Sequence, residues 1–267
     1  MKPHCALPRF RYMKRDSRVV AALLALTLFG PFAAPAAADD QRYLVSGRDS
    51  FVIGGGDIES EVDYRGTQRL TIVRHGKVAR YVAKVAYQRN DQGAETSASA
   101  DFVVDLLPSG EQLASADHDP DYLTVLNQPF SAQLDRKTLH DLRTMRGSAP
   151  FDFPSPFTDS VIHGTLRALG GGILGAHQVA GVRFAADGPM NGRLLDRPGL
   201  NLVGTIRMTG TAYYDVETAL LVSLDATVTI SGAVSNRQSN DPVTIVYRRS
   251  IRSDDQAQAS ASNRPRR

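Results

Sequence analysis

The sequence predicts a mainly β fold: a curved antiparallel sheet or incomplete β-barrel with one or two short helices. Three observations predict it. Apolar and polar residues alternate with period two through most of residues 39–252, as a sheet with one buried and one wet face requires. Gly204 and Gly210 interrupt a strand-like run, which marks bends or close backbone approach in a curved sheet. No strand–helix–strand rhythm appears, so a doubly wound parallel sheet is excluded.

Taken in order, the chain opens on a basic stretch with Lys2, Arg9, Arg11, Lys14, Arg15 and Arg18. An apolar run from Val19 to Phe29 follows, then Gly30-Pro31 and a small-residue segment ending Ala36-Ala37-Ala38. This is the layout of a secretory signal peptide over 1–38, with cleavage near Ala38. The apolar run is too short to cross a bilayer as a helix, so no transmembrane anchor is expected after cleavage. Met13-Lys14-Arg15 offers a second start site. The expected product is periplasmic or extracellular.

Tyr43 to Ile53 reads as a strand. Arg69 to Val73 and Lys77 to Tyr87 flank a turn at His75-Gly76, and Ala94 to Leu107 runs up to Pro108-Ser109-Gly110. Gln128 to Leu134 is a shorter strand candidate. Asp135 to Arg143 reads as a short helix capped by Asp135, with Leu139 and Leu142 on one face. After Ser155-Pro156, Ile162, Gly164, Leu166 and Ala168 alternate and favour a turn followed by a strand. Val179 to Ala186 is a strand ended by Asp187-Gly188-Pro189.

Leu200 to Tyr214 and Leu220 to Ser231 form the clearest pair, linked by the turn Asp215–Thr218. In the second, Leu220, Val222, Leu224, Ala226, Val228 and Ile230 share a face. Val243, Ile245, Tyr247 and Ile251 line one side of a last strand. Residues 253–267 are polar, lack an apolar period and read as a disordered tail. The count is nine to eleven strands in one β domain over 39–252, which divides into two similar lobes at about 39–135 and 155–252, without an internal repeat.

Composition narrows the chemistry. The whole chain carries 31 basic and 28 acidic residues, a net charge of +3. Six of the basic residues and only one acidic residue lie in 1–38, so the remainder has a net charge of about −2. No basic domain or basic–aromatic stripe remains, and no nucleic-acid partner is expected. Cys5 is the single cysteine and lies in the leader. The product therefore has no disulfide, cysteine nucleophile or thiolate metal site.

The candidate chemical residues form no complete motif. Asp117, Asp119 and Asp121 would suit Ca²⁺, but the sixth and twelfth loop positions are Tyr122 and Gln128 rather than Gly and Glu. The cluster reads as a solvated turn started by Asp119-Pro120. His75, His118, His140, His163 and His177 stand far apart in sequence and make no paired metal motif. There is no G-x-S-x-G elbow. Gly54–Gly56 and Gly170–Gly172 lack a phosphate-loop context and read as turns. Phe151, Phe153 and Phe157, interleaved with Pro150, Pro154 and Pro156, read as a covering loop. Of the adjacent Tyr213 and Tyr214, one should enter the core and the other face outward or line a pocket. No catalytic, ligand-binding or metal residue and no cofactor is assigned.

The phrase Gly210-Thr211-Ala212-Tyr213-Tyr214-Asp215, ahead of the alternating 220s, resembles a strand end and turn of uncharacterised secreted bacterial β-proteins. With its leader and long meander, the chain also resembles lipoprotein-carrier-type half-barrels. That resemblance implies a curved sheet holding acyl chains against a few helices, and it transfers no binding residue. The resulting expectation is a non-catalytic protein binding a lipid or other apolar small molecule in the concave face of its sheet. The alternatives are an envelope structural or interaction protein with a closed core, and a hydrolase whose site is scattered through the chain.

Overall fold

The structure, a computed structural model, describes residues 39–54, 60–107, 112–119, 121, 123–124, 133, 136–144, 148–154, 161–193, 201–235 and 240–255. The expected leader and most of the expected tail lie outside these residues. So do the Asp135 cap, residues 155–160 and nearly all of the short 128–134 strand.

Eleven strands form one antiparallel sheet. They are β1 (Asp39–Ile53), β2 (Ser60–His75), β3 (Val78–Asp91), β4 (Ala94–Leu106), β5 (Gln112–Asp117), β6 (Ser148–Pro154), β7 (Val161–Leu174), β8 (His177–Arg193), β9 (Asn201–Asp215), β10 (Leu221–Ser235) and β11 (Asn240–Ser253). The single helix, α1 (Arg136–Thr144), follows β5 and packs near β7 and β8. The spatial order is β5-β4-β3-β2-β1-β11-β10-β9-β8-β7-β6. The sheet is therefore two meanders running outward from a central pair. β1 and β11 join them over eleven paired positions, from Tyr43 opposite Ser253 to Ile53 opposite Val243. The sheet stays open, with β5 and β6 at its edges. The mainly β, curved and unclosed sheet is the fold expected from the alternation.

The register puts the alternating apolar sets on one face. Tyr43 and Val45 of β1 lie beside Gln68 and Gly66 of β2, which lie beside Val85 and Tyr87 of β3. On the other arm Ile251 of β11, Leu224 of β10, Ala212 of β9 and Val182 of β8 continue the row. These side chains are almost fully buried, with Tyr43, Leu70, Ile72, Tyr214 and Leu224 at 0% exposure. Each aliphatic side chain removed from water in this way contributes about 1.5–3 kcal/mol. The inner face holds two clusters. The larger spans both arms and takes in Leu139 of α1; the smaller is built on Ile162, Met190, Ile206, Ile230 and Ile245. The outer face is polar and carries exposed ion pairs such as Arg48–Asp63 and Arg80–Asp105, both at 2.7 Å. Such exposed pairs stabilise little.

The glycines inside β9 explain part of the curvature. A Cβ on Gly204 would stand 2.2 Å from the Ser231 carbonyl oxygen, and one on Gly210 would stand 2.4 Å from that of Asp225. The backbones of β9 and β10 approach more closely there than any side chain permits.

Several local expectations change. Gly170–Gly172 is not a turn. It lies inside β7 after a bulge between Ala168 and Gly170, and the turn is the two-residue loop Gly175-Ala176. Residues 148–154 pair with β7 as an edge strand, so Phe151 and Phe153 lie in no covering loop. Prolines at 150 and 154 suit an edge position. Alternation in β10 slips at Leu221–Ser223, where a bulge leaves Leu221, Val222, Ser223 and Leu224 all buried. Ser253, expected to open the disordered tail, belongs to β11, and Asp254 and Asp255 take a helical backbone. The helix α1 meets the expectation of one or two short helices.

Candidate functional site

The inner face carries a buried ion pair at its centre, where β1 and β11 meet. Alternation along β11 places Arg249 in the same row as Val243, Ile245, Tyr247 and Ile251. Alternation along β1 places Asp49 with Tyr43, Val45 and Phe51. The two side chains are 6% and 2% exposed as residues, deep enough that an unpaired charge would be prohibitive. They form a two-armed ion pair: Nη1 of Arg249 donates to Oδ1 of Asp49 at 2.5 Å, and Nη2 donates to Oδ2 at 3.2 Å. Gly47 makes the pocket, since a Cβ there would lie 2.8 Å from Nη1 of Arg249.

The guanidinium is satisfied on all sides. Nη1 also donates to the Arg248 carbonyl at 2.8 Å, and Nη2 to the Asp121 carbonyl at 2.6 Å. The rings of Tyr64 and Tyr247 lie 5.2 and 5.6 Å from its centre, within cation–π range. Burial works against the Arg249 charge, but Asp49 outweighs it and holds the pKa above the ordinary arginine value. Burial likewise lifts the Asp49 carboxyl above the usual range, against the pull of Arg249 and the Tyr64 hydroxyl.

The Asp117–Asp121 cluster belongs to this centre. Tyr64 Oη donates to Oδ1 of Asp121 at 3.1 Å, and Tyr87 Oη donates to Oδ2 at 2.5 Å. Burial and the neighbouring carboxylates push both tyrosine hydroxyls far above their ordinary pKa, so they remain donors. Asp119 is 2% exposed, and its Oδ2 accepts the Thr124 N–H at 2.6 Å. Asp117 Oδ1 accepts the Asp119 N–H at 2.9 Å, which closes the turn. The expected solvated turn is thus part-buried, with Asp119 inside. Its carboxylates are aimed at protein donors because the loop folds over the sheet centre instead of into water. No group of three or more His, Cys, Asp or Glu among the described residues could hold a metal ion.

A second polar cluster stands at the end of the β7–β8 hairpin. His177 is the first residue of β8. Its Nδ1 lies 2.8 Å from Oδ2 of Asp215, and its Nε2 contacts Oδ2 of Asp255. The other Asp215 oxygen accepts the Glu217 N–H at 2.9 Å, the Thr218 N–H at 2.8 Å and the Thr218 hydroxyl at 3.0 Å. Asp215 thereby builds the turn expected at 215–218. Both ring nitrogens face carboxylates rather than a serine or threonine hydroxyl.

The other histidines do not converge. His75 ends β2 and is exposed, His140 is exposed on α1, and His163 is exposed on β7. His118 faces Asp101 on the surface at 3.2 Å. Tyr214 is fully buried, while Tyr213 lies on the outer face over Gly181, as the pairwise reading expected. Two open grooves cross the outer face. One, about 670 Å³, is lined by Arg42, Thr67, Arg69, Lys84 and Asp101; the other, about 620 Å³, by Arg48, Asp63, Arg65, Asp225 and Arg248. Acidic and basic groups mix in both.

No protein-family model and no curated protein matches this chain. Function therefore has to be argued from the chain's own residues. The residues that build its polar clusters went unassigned in the sequence, with one signal available: Arg249 and Asp49 are in phase with apolar rows that each bury one face.

Proposed function

We propose that this is a non-catalytic protein of the periplasm or extracellular space that works by presenting its surface to a partner in the envelope. The observation that carries the reading is the packing of the inner face. Its large side chains, from Tyr43 and Leu70 to Phe184 and Tyr214, are 0–1% exposed against one another. A sheet that fills its own concavity has its recognition chemistry outside. The outer surface offers such chemistry at the β7–β8 hairpin. Residues 168–176 hold no charged or polar side chain, and Ile173 is 80% exposed at the tip. Natural sheet edges are ordinarily blunted by charge or proline.

A second reading keeps the inner face as a bed for a lipid or other apolar molecule. It is favoured by the extent of that face: the two apolar clusters run across strands of both arms, and one nine-residue helix is available to cover them among the described residues. A ligand would then displace the protein's own side chains. A hydrolase reading gains no support from a histidine held between two carboxylates.

Native mass spectrometry of the chain from Asp39 onward, purified from periplasm and followed by organic extraction, separates the readings. The expected result is a monodisperse mass with no stoichiometric lipid. A one-to-one co-purifying lipid overturns the surface reading and establishes the carrier.

A further inference from the structure

We propose that the β7–β8 hairpin is a membrane-surface anchor: its apolar end enters the headgroup–acyl boundary of a bilayer, and Arg167 and Arg183 behind it take the phosphates of anionic phospholipids. This rests on the surface reading above and names the partner as a lipid surface.

The arginines carry the first half of the argument. Arg167 of β7 and Arg183 of β8 stand directly opposite one another, and both are exposed on the outer face. Side chains so placed have Cβ atoms about 4.5–5.5 Å apart, and like charges there destabilise a sheet. Other arginines of that face are paired with a carboxylate, as Arg48 with Asp63, Arg80 with Asp105 and Arg252 with Asp225. Neither Arg167 nor Arg183 has a hydrogen bond or ion pair among the described residues. Along the same cross-strand row Arg183 meets Thr211 and Arg167 meets Ser148, both uncharged. A guanidinium binds phosphate oxygens through a two-pronged fork. A phosphate set between the two arginines removes their repulsion.

The apolar half lies beside them. One step toward the hairpin end, a Cβ on Gly181 would lie 2.7 Å from the Tyr213 ring and 3.2 Å from the Leu169 Cβ. Tyr213 and Leu169 thus close over the glycine next to the arginine pair, and Leu169 is 39% exposed. Beyond them come the exposed Gly170-Gly171-Gly172 and then Ile173, 80% exposed. Ile173 and Leu174 are adjacent in the strand and so face opposite ways. The end is therefore apolar on both sides. A protein partner covers one face of a strand pair, whereas a bilayer surrounds an inserted end. Apolar tip, aromatic ring and cation, in that order, make the layout of an interfacial anchor.

Depth and orientation follow from the same residues. Seven residues of β7, from Ala168 to Leu174, precede the turn, fewer than the 9–11 of a spanning strand. Polar side chains resume at His177 and Gln178. The hairpin therefore lies in the boundary and does not cross. The carboxylates at this end, Asp215, Glu217, Asp254 and Asp255, belong to β9, its turn and the end of β11. β7 is on the far side of β8 from all of them, so the hairpin meets lipid along β7.

The test is co-sedimentation of the full protein with phosphatidylethanolamine–phosphatidylglycerol vesicles and with phosphatidylcholine vesicles, at one salt concentration. The protein should pellet with both and bind the anionic vesicles more tightly. Arg167→Gln with Arg183→Gln should weaken anionic binding about 25-fold, at about fivefold per arginine, and leave phosphatidylcholine binding unchanged. Ile173→Asp should weaken both by about tenfold or more. All three positions are exposed, so thermal melts should match the wild type. Wild-type protein that stays in solution with both vesicles overturns the proposal. So does pelleting that Ile173→Asp leaves unchanged, or an anionic preference that survives loss of both arginines. If inorganic phosphate shifts the Arg167 and Arg183 Nε–H NMR signals of a protein that no vesicle pellets, the pair serves a free anion and the anchor is overturned. The native mass measurement above keeps the two readings apart. Failure here with a lipid-free mass sinks the anchor alone, whereas a one-to-one lipid sinks the surface reading as well.

Discussion

Replacing Arg249 with methionine should lower the unfolding free energy by about 3–5 kcal/mol, the usual cost of removing one partner from a buried ion pair. The size follows from what is left behind. Asp49 would stay at 2% exposure with both oxygens stripped of their N–H donors, and must either bear an unpaired charge or take up a proton. The Asp121 and Arg248 carbonyls would each lose a donor as well. Asp49→Leu alone should be comparably damaging, because it strands the guanidinium. The double variant Asp49→Leu/Arg249→Met should recover most of the loss, since an apolar pair of similar volume removes both desolvation costs. Urea unfolding of the four proteins checks this. If each single variant costs under about 1 kcal/mol, the pair is not the buried, mutually dependent element described.

The second large effect is expected at Gly204. Alanine there should destabilise by about 2–3 kcal/mol, the upper part of the range for overpacking. The added methyl meets the Ser231 carbonyl oxygen at 2.2 Å and the Gly232 Cα at 2.6 Å. Both are backbone atoms of β10, so no rotamer change makes room and the two strands must separate. Gly172 is the control: nothing lies within 4 Å of its Cβ position, and its φ is not in the left-handed region. Gly172→Ala should be neutral, or stabilising by about 0.4–1 kcal/mol through the unfolded chain. Thermal melts of the two variants side by side decide it. Equal melting temperatures would mean that the close approach of β9 and β10 is not real.

The parts of this fold set by local periodicity were readable before the structure. The alternation from Leu224 to Ile230 needed only the period-two rule, and the turn at Asp215 only the break between two such runs. The amphipathic spacing of α1, with Leu139 buried, needed only the helical one. What escaped was anything requiring a partner far away. Arg249 and Asp49 are 200 residues apart, and nothing in either neighbourhood names the other. The Asp117–Asp121 turn looked solvated because its tyrosine donors come from β2 and β3. The glycines at 170–172 looked like a turn because composition cannot distinguish a turn from a bulged strand. His177 looked isolated because its two carboxylates come from a turn and from the end of the last strand.

The central pairing of β1 with β11 has a consequence for how the chain can acquire its shape. Within each arm every strand pairs with its neighbour in sequence, so both arms are built from hairpins of low contact order. The one seam between them closes a loop of about two hundred residues, with the slow search that such closure implies. During vectorial synthesis β1 to β5 are complete long before β11 exists, and the inner edge of β1 waits unpaired as a template for any passing strand. The last fourteen-residue strand to be made is the one that caps it. A circular permutant that links the chain after Asp255 to Asp39, and opens between β5 and α1, would turn this seam into another local hairpin. Such a rearrangement would trade the slowest step of assembly for one of the fastest.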